Sequence, residues 1–231
     1  MSWLGITHTD ILQKLRGVVL EDCSRTGTEA AGQTALETHI KTAYAKVKSR
    51  LPSRYRRMLY KCPGELFANC AAGTTQFTLS LSNATDGTVL VYQNFSRAWN
   101  TRTRADALTS DEVSLSGQVV TLSSSVADGD RIVIEYDYDG TCLSPSAAED
   151  DWALWLCVAN LAAFYAGREA FQWLADGEIP EYIDDYKTDA MEWLEAIQSQ
   201  DAGIPILDDV VLYEDWDVPA RGARSIHLRR G

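Results

Sequence analysis

Chemistry-bearing motifs are scarce in this chain. Its three histidines, His8, His39 and His227, are too far apart to form a pair with metal-ligand spacing. It has no G-x-S-x-G turn, no Gly-Lys-Ser/Thr phosphate loop and no G-x-G-x-x-G fingerprint, so no hydrolase, nucleotidase or dinucleotide-binding reading has a motif to start from. No two cysteines stand at C-x-x-C spacing. Cys23, Cys62, Cys70, Cys142 and Cys157 are odd in number and scattered, which argues against a disulfide framework or a zinc site and suits a reducing cytoplasm. No run of about 18 apolar residues occurs, and the opening MSWLGITHTDILQKL lacks a basic stretch followed by an apolar one, so neither a membrane span nor a secretory leader is expected. Positive charge is short too: 21 Lys and Arg face 33 Asp and Glu, a net charge of −12. A general nucleic-acid binder needs the opposite balance to neutralise phosphates.

What is present is a core and two kinds of periodicity. With 231 residues and 45% hydrophobic content the chain can bury an ordinary interior. Thr7 or Thr9 can cap a short helix carrying Ile11, Leu12 and Leu15, ended by Gly17. Residues 21–32 read as a loop. From Gln33, the positions Leu36, Ile40, Ala43, Tyr44, Val47 and Leu51 keep a helical period until Pro52 breaks it. From Gly73 the period becomes two, with Phe77, Leu79 and Leu81 alternating with polar residues. Strands are also expected at 89–92, 112–115, 118–122 and 131–138, with Ser116-Gly117 and Asp128-Gly129 as turns. Residues 95–110, with Arg97, Trp99, Arg102 and Arg104, read as a long exposed loop. Helical grammar returns after Pro145. Residues 152–165 are apolar nearly all round, the pattern of an enclosed helix, and residues 181–203 are amphipathic, with Tyr182, Ile183, Tyr186, Ala190, Trp193, Leu194 and Ile197 on one stripe between Pro180 and a closing Gly203. The fold class is α+β: a helical bundle body over residues 1–72 and 142–203, a small antiparallel β module inserted at 73–141, and an extended C-terminal arm at 204–231.

The acidic clusters read as structural. Asp137, Asp139 and Gly140 resemble the start of a calcium loop, but Ala148 stands where the closing glutamate belongs. Glu149, Asp150 and Asp151 suit the first turn of a helix. Charge is unevenly spread, however. Lys41, Lys46, Lys48, Arg50, Arg54 and Arg57 lie in a basic block, whereas residues 176–217 are acidic with Lys187 as the sole base. These are either solvated faces or complementary contacts between subunits, and a contact of the basic block with DNA is a further reading. The arm is rich in apolar and aromatic residues, including Ile206, Leu207, Val211, Tyr213, Trp216 and Ile226, yet Pro205, Pro219 and Gly222 deny it a long helix. It is expected to dock in extended form, on its own body or on a partner. From Val218 onward it carries Arg221, Arg224, Arg229 and Arg230 and no acid.

The helical portions resemble the head-to-tail connector, or adaptor, proteins of tailed bacteriophages. The resemblance lies in ITHTDILQKL, ALETHIKTAYAKVKSRLPSRY, WALWLCVANLAAFYAGREA and DYKTDAMEWLEAIQSQDAGIP, roughly half the chain. The β segment departs from the compact members. The resemblance implies a virion protein of the neck, assembled in the bacterial host cytoplasm, that forms a ring, usually a dodecamer. Such a ring binds the portal, extends the DNA channel and offers a platform to the next neck or tail protein, without cofactor or catalysis. On that expectation the arm holds the portal and the basic block faces a neighbouring subunit. Asp184, Asp185, Asp189, Glu192 and Glu195 then line a channel through which packaged DNA slides unbound, since an acidic wall repels phosphate. The alternatives are another virion structural protein, a tail terminator or decoration protein, and a carbohydrate-binding module using Tyr92, Trp99 and Tyr136.

Overall fold

The computed structural model describes residues 4–96, 99–139, 143, 153–174 and 178–213. Helix α1 (His8–Lys14) begins where expected, at Thr7, whose backbone N–H and hydroxyl both donate to the Asp10 carboxylate at 2.7 Å. Residues 20–23 form a short 3-10 turn rather than open loop, and α2 (Glu29–Arg50) starts earlier than its hydrophobic period implies. The early start has a packing reason. Gly32 lies against the backbone of Leu20, where any Cβ would run into the Leu20 carbonyl. Pro52 separates α2 from α3 (Ser53–Met58).

The β structure opens at β1 (Lys61–Cys70), not at residue 73. Its alternation is hidden in the sequence because Pro63 and Gly64 interrupt it and the register shifts twice along its pairing with β6. With β2 (Gln76–Thr78), β3 (Leu90–Gln93), β4 (Val113–Ser116), β5 (Val119–Leu122) and β6 (Asp130–Asp137), it forms two antiparallel sheets, ordered β1-β6-β3 and β2-β5-β4. Gly117 (φ 61°) sits in the β4–β5 turn, where a positive φ matches strand twist.

Three further helices follow: α4 (Ala153–Trp173), α5 (Glu181–Ser199) and α6 (Pro205–Asp208). Helix α4 is buried on nearly every side, including Leu154, Val158, Ala162 and Ala170. It is the axis on which α1, α2 and α5 pack, and Gly167 permits the closest approach. A Cβ there would stand 2.6 Å from Ile183 Cδ1 and 3.1 Å from Leu15 Cδ2.

The β module is not an independent unit with its own interior. Leu36, Met58, Ile132, Ile134, Tyr136, Val158 and Leu194 belong to one continuous core. The join is aromatic: Tyr60 stacks on Tyr138, the Tyr138 hydroxyl donates to the Met58 carbonyl at 2.6 Å, and the Leu4 N–H donates to the Tyr60 hydroxyl at 2.7 Å. The expected boundary at residue 73 therefore moves to Lys61, and body and module fold as one mass. Strand β6 is buried on both faces. Its second face, through Val133, meets a smaller cluster of Leu66, Tyr92, Phe95 and Tyr213.

Most of the described residues between 95 and 110 are exposed, as expected of a loop, but three of them are tied to the sheet. Phe95 is buried, Leu108 N–H donates to the Val91 carbonyl at 2.8 Å along the outer edge of β3, and Arg102 is drawn inward to Glu135 at 2.8 Å.

Candidate functional site

Helix α5 separates two kinds of side chain by geometry. At about 100° per residue, Ile183, Ala190, Leu194 and Ile197 fall on one side, while Glu181, Asp185, Glu192 and Glu195 fall opposite and Asp184 and Asp189 at the two flanks. The first set is buried and all the acids are exposed. The helix closes at Gln200, which takes a left-handed conformation (φ 66°). That role was expected of Gly203, which instead abuts the Asp208 carboxylate.

Cations reach α5 from other elements, which the linear acidity of residues 176–217 conceals. Lys14 and Arg16 lie over the rings of Tyr186 and Tyr182, and Arg168 stands 3.7 Å from Asp184. The Lys14 Nζ also donates to the buried Asn160 Oδ1 at 2.9 Å, and burial lowers its pKa against the opposing pull of Asp189 and Asp10. Arg168, Asp184, Lys187, Met191, Glu192 and Glu195 border a shallow depression of about 450 Å³. The candidate channel-lining acids thus share one helix face, rimmed by positive charge.

The basic block does not form a single face. Lys41 and Lys48 lie on one flank of the buried stripe of α2, and Lys46 and Arg50 on the other, because the stripe runs between them. Lys41, Lys46 and Arg57 are exposed. Lys48 lies over the Tyr44 ring, and Arg50 contacts the Met191 thioether at 3.2 Å. Arg54 is used internally: its Nη2 donates to the Val210 carbonyl at 3.2 Å and the Asp208 carbonyl at 3.4 Å. The six cations are thus divided between two flanks of α2 and the neighbouring α3, with Arg54 bonded within the chain.

The carbonyls that hold Arg54 belong to the first part of the arm, which docks on its own body. Ile204, Leu207, Val210, Leu212 and Tyr213 are buried. Tyr55 donates to Asp208 Oδ1 at 2.7 Å, Leu66 N–H donates to the Val211 carbonyl at 2.7 Å on the outer edge of β1, and the Tyr213 hydroxyl donates to the Phe95 carbonyl at 2.8 Å. Residues 204–213 form a strap from the end of α5 across α3 to the sheet. Of the residues expected to hold a partner, Leu207 and Tyr213 are core, Ile206 is half-buried and Val211 is 54% exposed. Trp216, Arg221, Arg224, Ile226, Arg229 and Arg230 lie outside the described residues.

Beneath the strap is a polar cluster that sequence reasoning missed. Glu65, 4% exposed, accepts from the Ser80 N–H at 3.1 Å, the Ser80 hydroxyl at 2.6 Å and the Tyr136 hydroxyl at 2.7 Å. Burial raises its pKa, opposed by these hydrogen bonds. Glu135, also buried, differs in outcome. Burial acts to raise it, but Arg102 and Lys61 together hold it below the usual carboxylate range. An alternation of Phe77, Leu79 and Leu81 around Ser80 gave no sign that a carboxylate from β1 would reach it.

Other expectations for the site resolve simply. Tyr92 and Tyr136, proposed as sugar platforms, are 2% and 0% exposed, so their rings offer no stacking surface; the side chain of Trp99 is outside the described residues. His39 meets Glu169 at 2.9 Å, and its pKa is lowered because burial outweighs that neighbour. Cys23, Cys62, Cys70 and Cys157 are free and buried, and burial pushes the Cys62 and Cys157 thiols up to about 12. Gly140, Cys142 and residues 149–151 fall outside the described residues. Among the described residues no group of three or more His, Cys, Asp or Glu side chains could hold a metal, and no helix is long and apolar enough to cross a membrane. No protein-family model matches this chain, and a comparison with curated proteins returns no relative.

Proposed function

We propose that this chain is a ring-forming connector of a tailed-phage neck, a non-catalytic virion protein that docks on the portal, extends the DNA channel and supports the next neck or tail component. The observation that carries the reading is the division of α5 into a buried stripe and an opposed face of exposed carboxylates. A wall past which DNA must slide needs a rigid element with phosphate-repelling charge, and a helix anchored by its apolar side supplies both. The lysines on the two flanks of α2 are available to neighbouring copies, which suits the heterologous contacts that close a ring. Because residues 204–213 are committed to the body, the portal-binding part of the arm is residues 214–231.

The experiment is a truncation series read against purified portal. A chain ending at Tyr213 is expected to fold with an unchanged cooperative melt and to lose portal binding. Intact binding by that chain overturns the assignment of the arm. A chain ending at Gly203 is expected not to fold stably, since it lacks Leu207, Val210, Leu212 and Tyr213 from the core.

A further inference from the structure

Glu65 and Leu212 stand opposite each other across the β1 edge as an antiparallel bridge, and residues so paired carry their side chains on the same face. The next residues keep the alternation: Leu66 and Tyr213 meet in the smaller cluster on the other face of the sheet, whereas Leu212 belongs to the main core. Leu212, itself buried, therefore lies on the side of the sheet to which the Glu65 carboxylate points, and brings it no polar group. The remaining walls are Ser80, next to β2, and Tyr136 on β6, both of which donate to the carboxylate.

The titratable groups facing Glu65 are Cys62 on β1 and Tyr136 on β6. Burial pushes both upward, the Cys62 thiol to about 12, so both are neutral between about pH 5 and pH 8. On the strap, Asp208 and Asp209 are exposed and Asp208 accepts from Tyr55, while Arg54 of α3 donates to the strap carbonyls. Among the described residues no lysine, arginine or histidine forms an ion pair with Glu65. Its ionised form thus lacks both a cation and water.

The walls are not equally hard to move. Strand β6 is central in its sheet, bonded to β1 on one side and β3 on the other. The donors Ser80 and Tyr136 bind an ionised carboxylate more strongly than a neutral carboxyl, so ionisation tightens those contacts. Leu212 gains nothing from the charge. The outer half of the strap is also lightly held: Leu66 N–H donates to the Val211 carbonyl, Arg54 to the Val210 carbonyl and the Tyr213 hydroxyl to the Phe95 carbonyl.

We infer that Glu65 is a proton-operated latch on the outer half of the strap: residues 210–213 lie closed over the protonated carboxyl and lift from the β1 edge as it ionises. Lifting bares that edge together with the Leu66, Tyr92 and Phe95 face that Tyr213 covers, so the deprotonated molecule offers a strand-pairing surface the protonated one hides. The closed state binds the proton more tightly than the open one. Opening is therefore promoted as pH rises above the ordinary carboxylate value of about 4.3, and levels off above the raised native value. The latch does not depend on the connector reading.

Amide hydrogen exchange on the full chain, read by NMR between about pH 5 and pH 8 and corrected for intrinsic rates, tests it. Protection of the Leu66 amide, whose acceptor is the Val211 carbonyl, is expected to fall several-fold with pH, by no more than about ten-fold per unit, the limit for one proton. In Glu65→Gln it is expected to stay level. Leu212→Ala, which admits water to the closed carboxyl, is expected to flatten the profile as well. A wild-type pH profile in either variant overturns the proposal. So does a fall at Leu66 matched by an equal fall along β6, which would be global unfolding, or a fall at Leu79 in place of Leu66, which would mean that the β2 wall yields.

Discussion

Glu65 shows how much one side chain can carry in a core. Its three donors come from Ser80 and Tyr136, and its own backbone pairs with Leu212 of the strap, so it ties β1, the β2 region, β6 and the arm at one point. Because burial raises its native pKa, the folded state binds its proton more tightly than the unfolded state. Its favourable contribution is therefore fully present below the unfolded carboxylate pKa and lost as pH rises through the raised native value. Glu65→Gln has no such dependence. Urea melts between about pH 4 and pH 7 should show the native protein losing stability relative to the variant as pH increases. A pH-independent difference would mean that the carboxylate is not effectively desolvated. Glu65→Ala should cost about 1–3 kcal/mol for each buried donor left without a partner, measured at the acid end of that range.

At the scale of elements, burial divides residues that look equivalent in sequence. Trp193 and Leu194 both fall within the apolar stripe of α5, but Leu194 is 1% exposed whereas Trp193 is half-buried at the margin. Treating Trp193 as core implies a loss of about 3–5 kcal/mol on truncation to alanine. Its marginal position lowers that to about 1–2 kcal/mol, in proportion to the area removed from water. Leu207, in what reads as a tail, is fully buried, and Leu207→Ala should cost about 2–5 kcal/mol. Denaturant melts of the two variants therefore test whether the strap belongs to the fold; a smaller loss at Leu207 than at Trp193 would contradict it. Gly167→Ala bears on the same packing. A methyl group directed at Ile183 and Leu15 should cost about 1–3 kcal/mol through overpacking where α1, α4 and α5 converge.

For the whole molecule, the proposed connector role has the acid face of α5 and the lysine flanks of α2 act only when copies assemble. Native mass spectrometry of the chain bound to portal should give a closed ring. Association through exposed charges should weaken as salt shortens the range of their interaction to about 8 Å or less. A complex containing a single copy, or salt-independent association, would count against the ring. The continuous core also predicts that body and β module melt in one transition, and calorimetry resolving two would contradict it.

The amino-acid sequence by itself determined the elements whose cause is local. Thr7 with Asp10, Pro52, Gly117 and the periods of α4, α5 and β6 each act within a few residues, through caps, ring sterics or the alternation of apolar side chains, and all were legible. Tertiary structure decided the rest. Strand β1 lacks a clean period because its bulges answer to β6, and Arg102 is half-buried because Glu135 waits in a distant strand. The division of the basic block follows from which side of α2 meets α4. The first ten residues of the arm are core because Tyr55, Arg54 and the β1 edge, more than 140 residues earlier in the chain, supply their partners. Such contacts depend on chain segments brought together by folding, and no local pattern encodes which segments those are.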